Sequence, residues 1–249
     1  MFINEPPRTA YDLQFRLLGV PIRVHPMFWL VSVVFGMGGQ GDPAYVALWV
    51  AGSFLSIVVH EMGHALCIRA YGWQPWVTLY GMGGLASGPP ARRSPQTQIL
   101  ISLAGPAAGF ALFGLVVAIV AATGHRVEFD RRLLPGAPVV FGGFDNVRAW
   151  EFAYILAWQN FAWNVLNLLP IFPLDGGQVA RETWRLVDPR DGLRRSLMLS
   201  IAAAGGMAAW AVMKGNNIYL TLFFAFLAYE SFVLLERMFP GQGFGGGKR

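Results

Sequence analysis

Long apolar runs alternate with short polar connections along this chain, at the spacing of membrane-crossing helices. A span of the hydrocarbon core needs about 20 mostly apolar residues. Five stretches meet that need, at about residues 44–70, 99–123, 150–169, 197–213 and 218–235. A sixth, at about 24–37, is short, and with residues 17–22 in front of it crosses at a tilt. The apolar part begins too late for a cleaved leader, and no small-residue cleavage site follows it. The pattern predicts an all-α polytopic membrane protein of about six transmembrane helices. Between the second and third spans, Val77-Thr78-Leu79-Tyr80 is followed by Gly81, Gly83, Gly84 and Gly88. That order reads as strand, glycine turn, strand: a small membrane-associated β-hairpin. A second loop, at about 124–147, carries Pro135 and Pro138. Residues 1–240 read as one membrane-embedded domain with its site core at about 44–188, and 241–249 as a flexible glycine-rich tail. No room is left for an appended binding domain.

Composition agrees and removes other classes. The chain is 55% hydrophobic and 13% charged, with mean hydropathy +0.45; a soluble domain is about 25% charged. Disorder is excluded by the apolar content. A disulfide scaffold is excluded because Cys67 is the one cysteine. The net charge of +5 is that of a protein whose basic residues flank spans and meet anionic headgroups. No basic run interleaved with aromatics lies on a soluble element, so nucleic acid is not a partner. With six spans and a cytosolic N-terminus, only Arg126, Arg131, Arg132, Arg148 and Lys214 of the 19 basic residues fall outside. The imbalance predicts a multi-pass protein of the cell (inner) membrane with both termini cytosolic.

Within the second span lies His60-Glu61-Met62-Gly63-His64. On a helix, with His60 at 0°, Glu61 falls at about 100° and His64 at about 40°, so all three share one arc. Two imidazoles one turn apart reach one metal ion, and the carboxylate points at a water on it. A charged residue at the centre of a span is costly, which makes chance a poor explanation. Catalytic zinc commonly takes three protein ligands. His25, beside Pro26, fits an interfacial residue, and His125 a loop residue. Asp175 is the better third ligand. It ends the run Asn167-Leu-Leu-Pro170-Ile-Phe-Pro173-Leu-Asp175-Gly176-Gly177, whose prolines break the fourth helix. Irregular backbone at membrane depth is tolerated where it lines a cavity, so the break carries Asp175 to the site.

Asn160, Asn164 and Asn167 form a polar stripe at i, i+4 and i+7. Asn160 and Asn164 read as interhelical hydrogen-bonding residues, and Asn167 as an amide donor to a developing oxyanion. Cys67 reads as a small core residue, and Glu230 has no assigned role. Gly105 and Gly109 form a small-residue pair suited to close helix packing.

The paired motifs resemble those of the site-2 protease family of intramembrane zinc metalloproteases. Gly19-Val-Pro-Ile-Arg-Val-His25-Pro26 and Ala104-Gly105-Pro106 are similar too, so the likeness covers about residues 15–238. The resemblance implies one zinc held by His60, His64 and Asp175, with Glu61 as catalytic base and Asn167 near the scissile carbonyl. It also implies transmembrane protein substrates and a glycine-rich loop that helps hold them. Many relatives carry Asn where this chain has Gly109, which leaves position 109 without a transferable role. Two other readings stay open: a membrane zinc transporter, which has no need of Glu61 as a base, and a non-catalytic zinc-binding membrane protein.

Overall fold

Prolines and turn glycines divide the chain into the elements that carry the site. The computed structural model describes residues 5–38, 42–81, 83–89, 94–129, 139–215 and 218–240. The expected tail at 241–249, and Pro135 and Pro138 of the outer loop, lie outside the described residues. In chain order come β1 (Leu13–Leu17), β2 (Val20–Val24), α1 (Pro26–Met37), α2 (Pro43–Ala70), β3 (Trp76–Tyr80), β4 (Gly83–Ser87) and α3 (Pro95–Ala122). Then follow β5 (Arg126–Phe129), β6 (Val139–Gly142), α4 (Val147–Asn167), α5 (Asp175–Val187), α6 (Gly192–Gly215) and α7 (Ile218–Met238). The chain divides into two compact units. One comprises Met1–Arg92 and Ala104–Val165, the other Arg93–Leu103 and Leu166–Arg249.

The first unit is built on a four-stranded sheet of order β1-β2-β3-β4. β1 and β2 join through Leu18 and Gly19, both at positive φ, the geometry of a tight hairpin turn. β2 and β3 pair in parallel, with α1 and α2 between them in the chain. Alternation gives the sheet two faces. Val20, Ile22, Val24, Val77 and Leu79 pack with Phe28 of α1 and with Val58, Met62 and Ala65 of α2. On the other face, Arg23 pairs with Glu5 and Asp12, both at 2.9 Å, and Thr78 donates to Glu5 at 2.6 Å. The hydrogen bond from Thr9, followed by the one from Arg23, holds the Asp12 carboxyl down to about 2.

The start of the first expected span is corrected here. Residues 17–24 belong to the β1–β2 hairpin, and the helix begins only at Pro26. Pro26 cannot donate a ladder hydrogen bond but suits a first helical turn, and the His25 ring accepts from the Met27 N–H at 3.2 Å. His25 is therefore a helix cap. α2 starts the same way, with Asp42 accepting from the Ala44 N–H ahead of Pro43. The expected small β-element is present, and the N-terminal strands make it larger than a hairpin.

Helices α2, α3, Gly192–Met213 of α6, and α7 are long and apolar enough to cross a membrane. α1, with 12 residues, is shorter, and α4 carries Glu151, Gln159 and the three asparagines. Outside the sheet, β5 pairs antiparallel with β6, and Trp150 donates to the Phe141 carbonyl at 3.0 Å. His125 stacks on Phe144 at 3.9 Å and meets Thr123 at 2.8 Å, a structural role as expected.

In the second unit, Ile171 joins Ala204, Phe224 and Leu227 in a core. Buried Glu182 pairs with Arg181 and Arg185 of its own helix, at 2.9 and 2.8 Å.

Candidate metal centre

α2 carries the histidine motif on its buried face. His60, Glu61 and His64 are 2%, 5% and 7% exposed, values that put a potential charge cluster almost wholly out of solvent. One helical turn separates the imidazoles, and their Nε2 atoms lie 3.2 Å apart. The rings stand edge to face, 79° between planes. The nitrogens thus converge on one point, as the helical spacing required.

Glycines stand close against this motif. A Cβ at Gly105 of α3 would run into His64 Nε2, and one at Gly84 of β4 would run into the Glu61 carboxyl group. A Cβ at Gly63 would strike the Ala104 carbonyl, so α2 and α3 touch backbone to backbone there. Burial lifts the Tyr80 phenol of β3 above its ordinary value, and the Glu61 charge adds to the rise. The strands therefore bear directly on the Glu61 side of the motif.

α4 runs alongside α2, joined by three polar rungs. Gln159 donates to Ser53 at 2.8 Å and Asn160 to Ser56 at 2.9 Å. Asn164 Oδ1 meets His60 Nδ1 at 2.9 Å. Rung numbers rise together on both helices, so α2 and α4 are parallel. Asn160 is the interhelical hydrogen-bonding residue expected of it. Asn164 does more, because its partner is a histidine of the motif. The stripe was visible in the sequence, but a one-helix pattern carries no information about which member meets the motif.

Asn167 is the last residue of α4 and is buried. In the second unit the backbone breaks at residues 168–174, and Asp175 opens α5. The aspartate was expected at the end of the fourth span; it instead stands in the first turn of a new helix, where a carboxylate suits the positive end of the helix dipole. Pro170 and Pro173 account for the interruption. The break is held: the Phe172 N–H donates to Ser200 at 3.0 Å, and Ser231 donates to the Phe172 carbonyl at 3.3 Å. A Cβ at Gly176 would meet the Leu168 carbonyl, and one at Gly177 the Ile171 backbone. Both glycines are there for close backbone approach. Cys67 and Glu230 are half-buried.

Known proteins resemble this chain in sequence and in fold. Residues 137–204 match the model of peptidase family M50. That stretch holds the asparagine stripe and Asp175. A zinc metalloprotease of Methanocaldococcus jannaschii is 26% identical over 221 residues, covering 86% of this chain and 58% of its own. The longer alignment takes in the histidine motif as well. The chain is similar to the site-2 proteases of peptidase family M50. A Synechocystis relative is 29% identical over 215 residues, covering 80% of this chain and 50% of its own. The chain thus spans about half to three-fifths of the length of these relatives. The solved site-2 protease from M. jannaschii shares the fold, with TM-score 0.56 at 21% identity, over 90% of this chain and 95% of that one. The four long apolar helices, together with the likeness to site-2 proteases, make this an integral membrane protein.

Proposed function

We propose that this chain is a zinc metalloendopeptidase that cuts peptide bonds inside transmembrane segments of other proteins, with zinc held by His60, His64 and Asp175. The observation that carries the reading is the 3.2 Å approach of the two Nε2 atoms beside a buried Glu61. Two imidazole nitrogens bound at 2.0–2.1 Å to one tetrahedral zinc lie about 3.3 Å apart. The donor set also fits in kind: two neutral histidines and one carboxylate leave room for a fourth, exchangeable ligand.

Bound there, zinc supplies the Lewis acid that lets water attack near neutral pH. Glu61 takes the water's proton and passes one to the departing amide nitrogen. Asn167 donates its amide hydrogen to the carbonyl oxygen as charge develops. β4 ends its sheet, with no strand beyond it among the described residues. A substrate segment drawn from helix into strand can pair with that edge, replacing the backbone hydrogen bonds it gives up. Gly84, bare of side chain against Glu61, sets that edge beside the base.

The same reading implies a direction across the membrane. β2 and β3 pair across α1 and α2, which supports a return of the chain to the side it left, with α1 as the short outward crossing. Parallel α2 and α4 agree with alternate crossings, with both termini cytosolic and the sheet on the inner side of the cell membrane. His64 lies six residues before the end of α2 at Ala70, about 9 Å along the axis at 1.5 Å per residue. The cut therefore falls in the inner half of the substrate helix.

The test is Glu61→Gln in purified full-length protein with a transmembrane reporter. Zinc content and fold should match wild type while cleavage is lost. Turnover near wild type would remove Glu61 from its role as base, and a zinc-loaded wild type that leaves the reporter uncut would favour zinc transport. A wild-type chain that binds no zinc would overturn the metal centre itself.

A further inference from the structure

We propose that Asn164 is the positioning residue of His60, and that Gly109 is what admits it; the inference rests on the metallopeptidase reading above. The amide is oriented by its own helix: Asn164 Nδ2 donates to the Asn160 carbonyl, one turn earlier. Oδ1 is then the atom left to face α2, and it lies 2.9 Å from His60 Nδ1. A carbonyl oxygen only accepts, so His60 Nδ1 carries the proton. The ring is thereby held as the tautomer whose Nε2 is bare, and Nε2 is the atom that converges with His64 Nε2. Metal-bound histidines ordinarily owe their tautomer and ring orientation to such an acceptor.

The amide has no freedom to do otherwise. Asn164 is 1% exposed, and the rungs Ser53–Gln159 and Ser56–Asn160 fix the register of α4 on α2. Gly109 of α3 faces the amide so closely that a Cβ there would occupy the space of Asn164 Nδ2 and Oδ1. Any side chain at position 109 drives Asn164 off His60. Gly109 and Asn164 are therefore one device: α3 gives up a side chain so that α4 can supply the acceptor.

The competing role is a third helix-to-helix rung with no bearing on the metal. Zinc affinity, measured by chelator competition on the full chain, separates the two, with the d–d spectrum of the cobalt-substituted protein as second readout. Asn164→Ala should weaken zinc about 10- to 100-fold, the range typical of lost second partners of ligands, and shift the cobalt spectrum. Gly109→Ala should do the same with Asn164 intact. Asn164→Asp keeps the acceptor and loses the donor to Asn160, so zinc affinity should stay at or above wild type. Asn160→Ala removes the neighbouring rung and should lower the melting temperature with zinc affinity unchanged. Wild-type affinity in Asn164→Ala, or equal weakening in Asn160→Ala, would overturn the proposal while leaving the zinc site standing. If Asn164→Ala does not fold, a tenfold loss in Asn164→Asp overturns it. Absence of zinc from wild type would instead remove the reading beneath it.

Discussion

Two stretches of small residues sit inside long apolar helices and look alike in sequence: Ala104–Gly109 of α3 and Ala202–Gly206 of α6. In α3 the absent side chains are occupied space. Gly105 faces His64 Nε2 and Gly109 faces the Asn164 amide. In α6, Gly205 and Gly206 are exposed, and a Cβ on either would meet nothing within 4 Å. Glycine in a helix costs about 0.5–1 kcal/mol relative to alanine. α3 bears that cost to admit polar groups from neighbouring helices. α6 bears it with no contact in return among the described residues. Small residues are usually credited to close packing of helix on helix; here the decisive neighbours are an imidazole and an amide.

The contrast can be broken at its strongest point with Gly105→Ala. The added methyl takes the place of His64 Nε2, so metal analysis should show zinc reduced at least tenfold and turnover lost. Full zinc occupancy would mean that α3 has room to yield. Next in size is Gly84→Ala, which moves the Glu61 carboxyl group and leaves both histidines in place. Turnover should drop by about 10²–10⁴, the usual worth of a general base, with zinc retained; loss of metal would show that β4 supports the ligands instead of the base.

Gly63→Ala tests the α2–α3 contact away from the ring nitrogens. Overpacking costs about 1–3 kcal/mol, so the melting temperature should fall while zinc affinity holds. An unchanged melting temperature would place the backbones farther apart than the contact with the Ala104 carbonyl requires. The smallest effect belongs to Gly205→Ala with Gly206→Ala. Helix propensity favours each change by up to about 1 kcal/mol, so stability should rise or stay level and turnover should not change. A clear loss of stability would show that this face of α6 is covered, and the contrast with α3 would close.

Much of the site was legible because helical period alone puts His60, Glu61 and His64 on one arc. The Pro170–Gly177 run also announced a break, since proline and glycine act on the backbone wherever they occur. That Asp175 opens α5, instead of ending α4, was not legible: the helix restart depends on Ser200 and Ser231 holding the Phe172 backbone. Residues 17–24 were misread as the lead-in to a span because a short apolar run fits strand and helix equally by periodicity. The partner strand, β3, lies beyond two helices. Asn164 and Gly109 were illegible for a related reason. Their meaning lies in one contact between α3 and α4 and another between α4 and α2, and none of these helices carries it alone.

The parallel pairing of β2 with β3 has a consequence for the order of synthesis. Ile22 and Val77 are partners, yet about 55 residues separate them. At 5–20 residues per second, a nascent chain spends about 3–11 s with β2 made and β3 still to come. Through that interval the inner edge of the β1–β2 hairpin has no strand to bond. The His25 N–H, which will donate to the Leu79 carbonyl at 2.8 Å, waits for the same event. A ribosome-bound chain stopped before residue 76 should therefore be open to added protease at Leu13–Val24, and one stopped well after residue 87 should be closed to it.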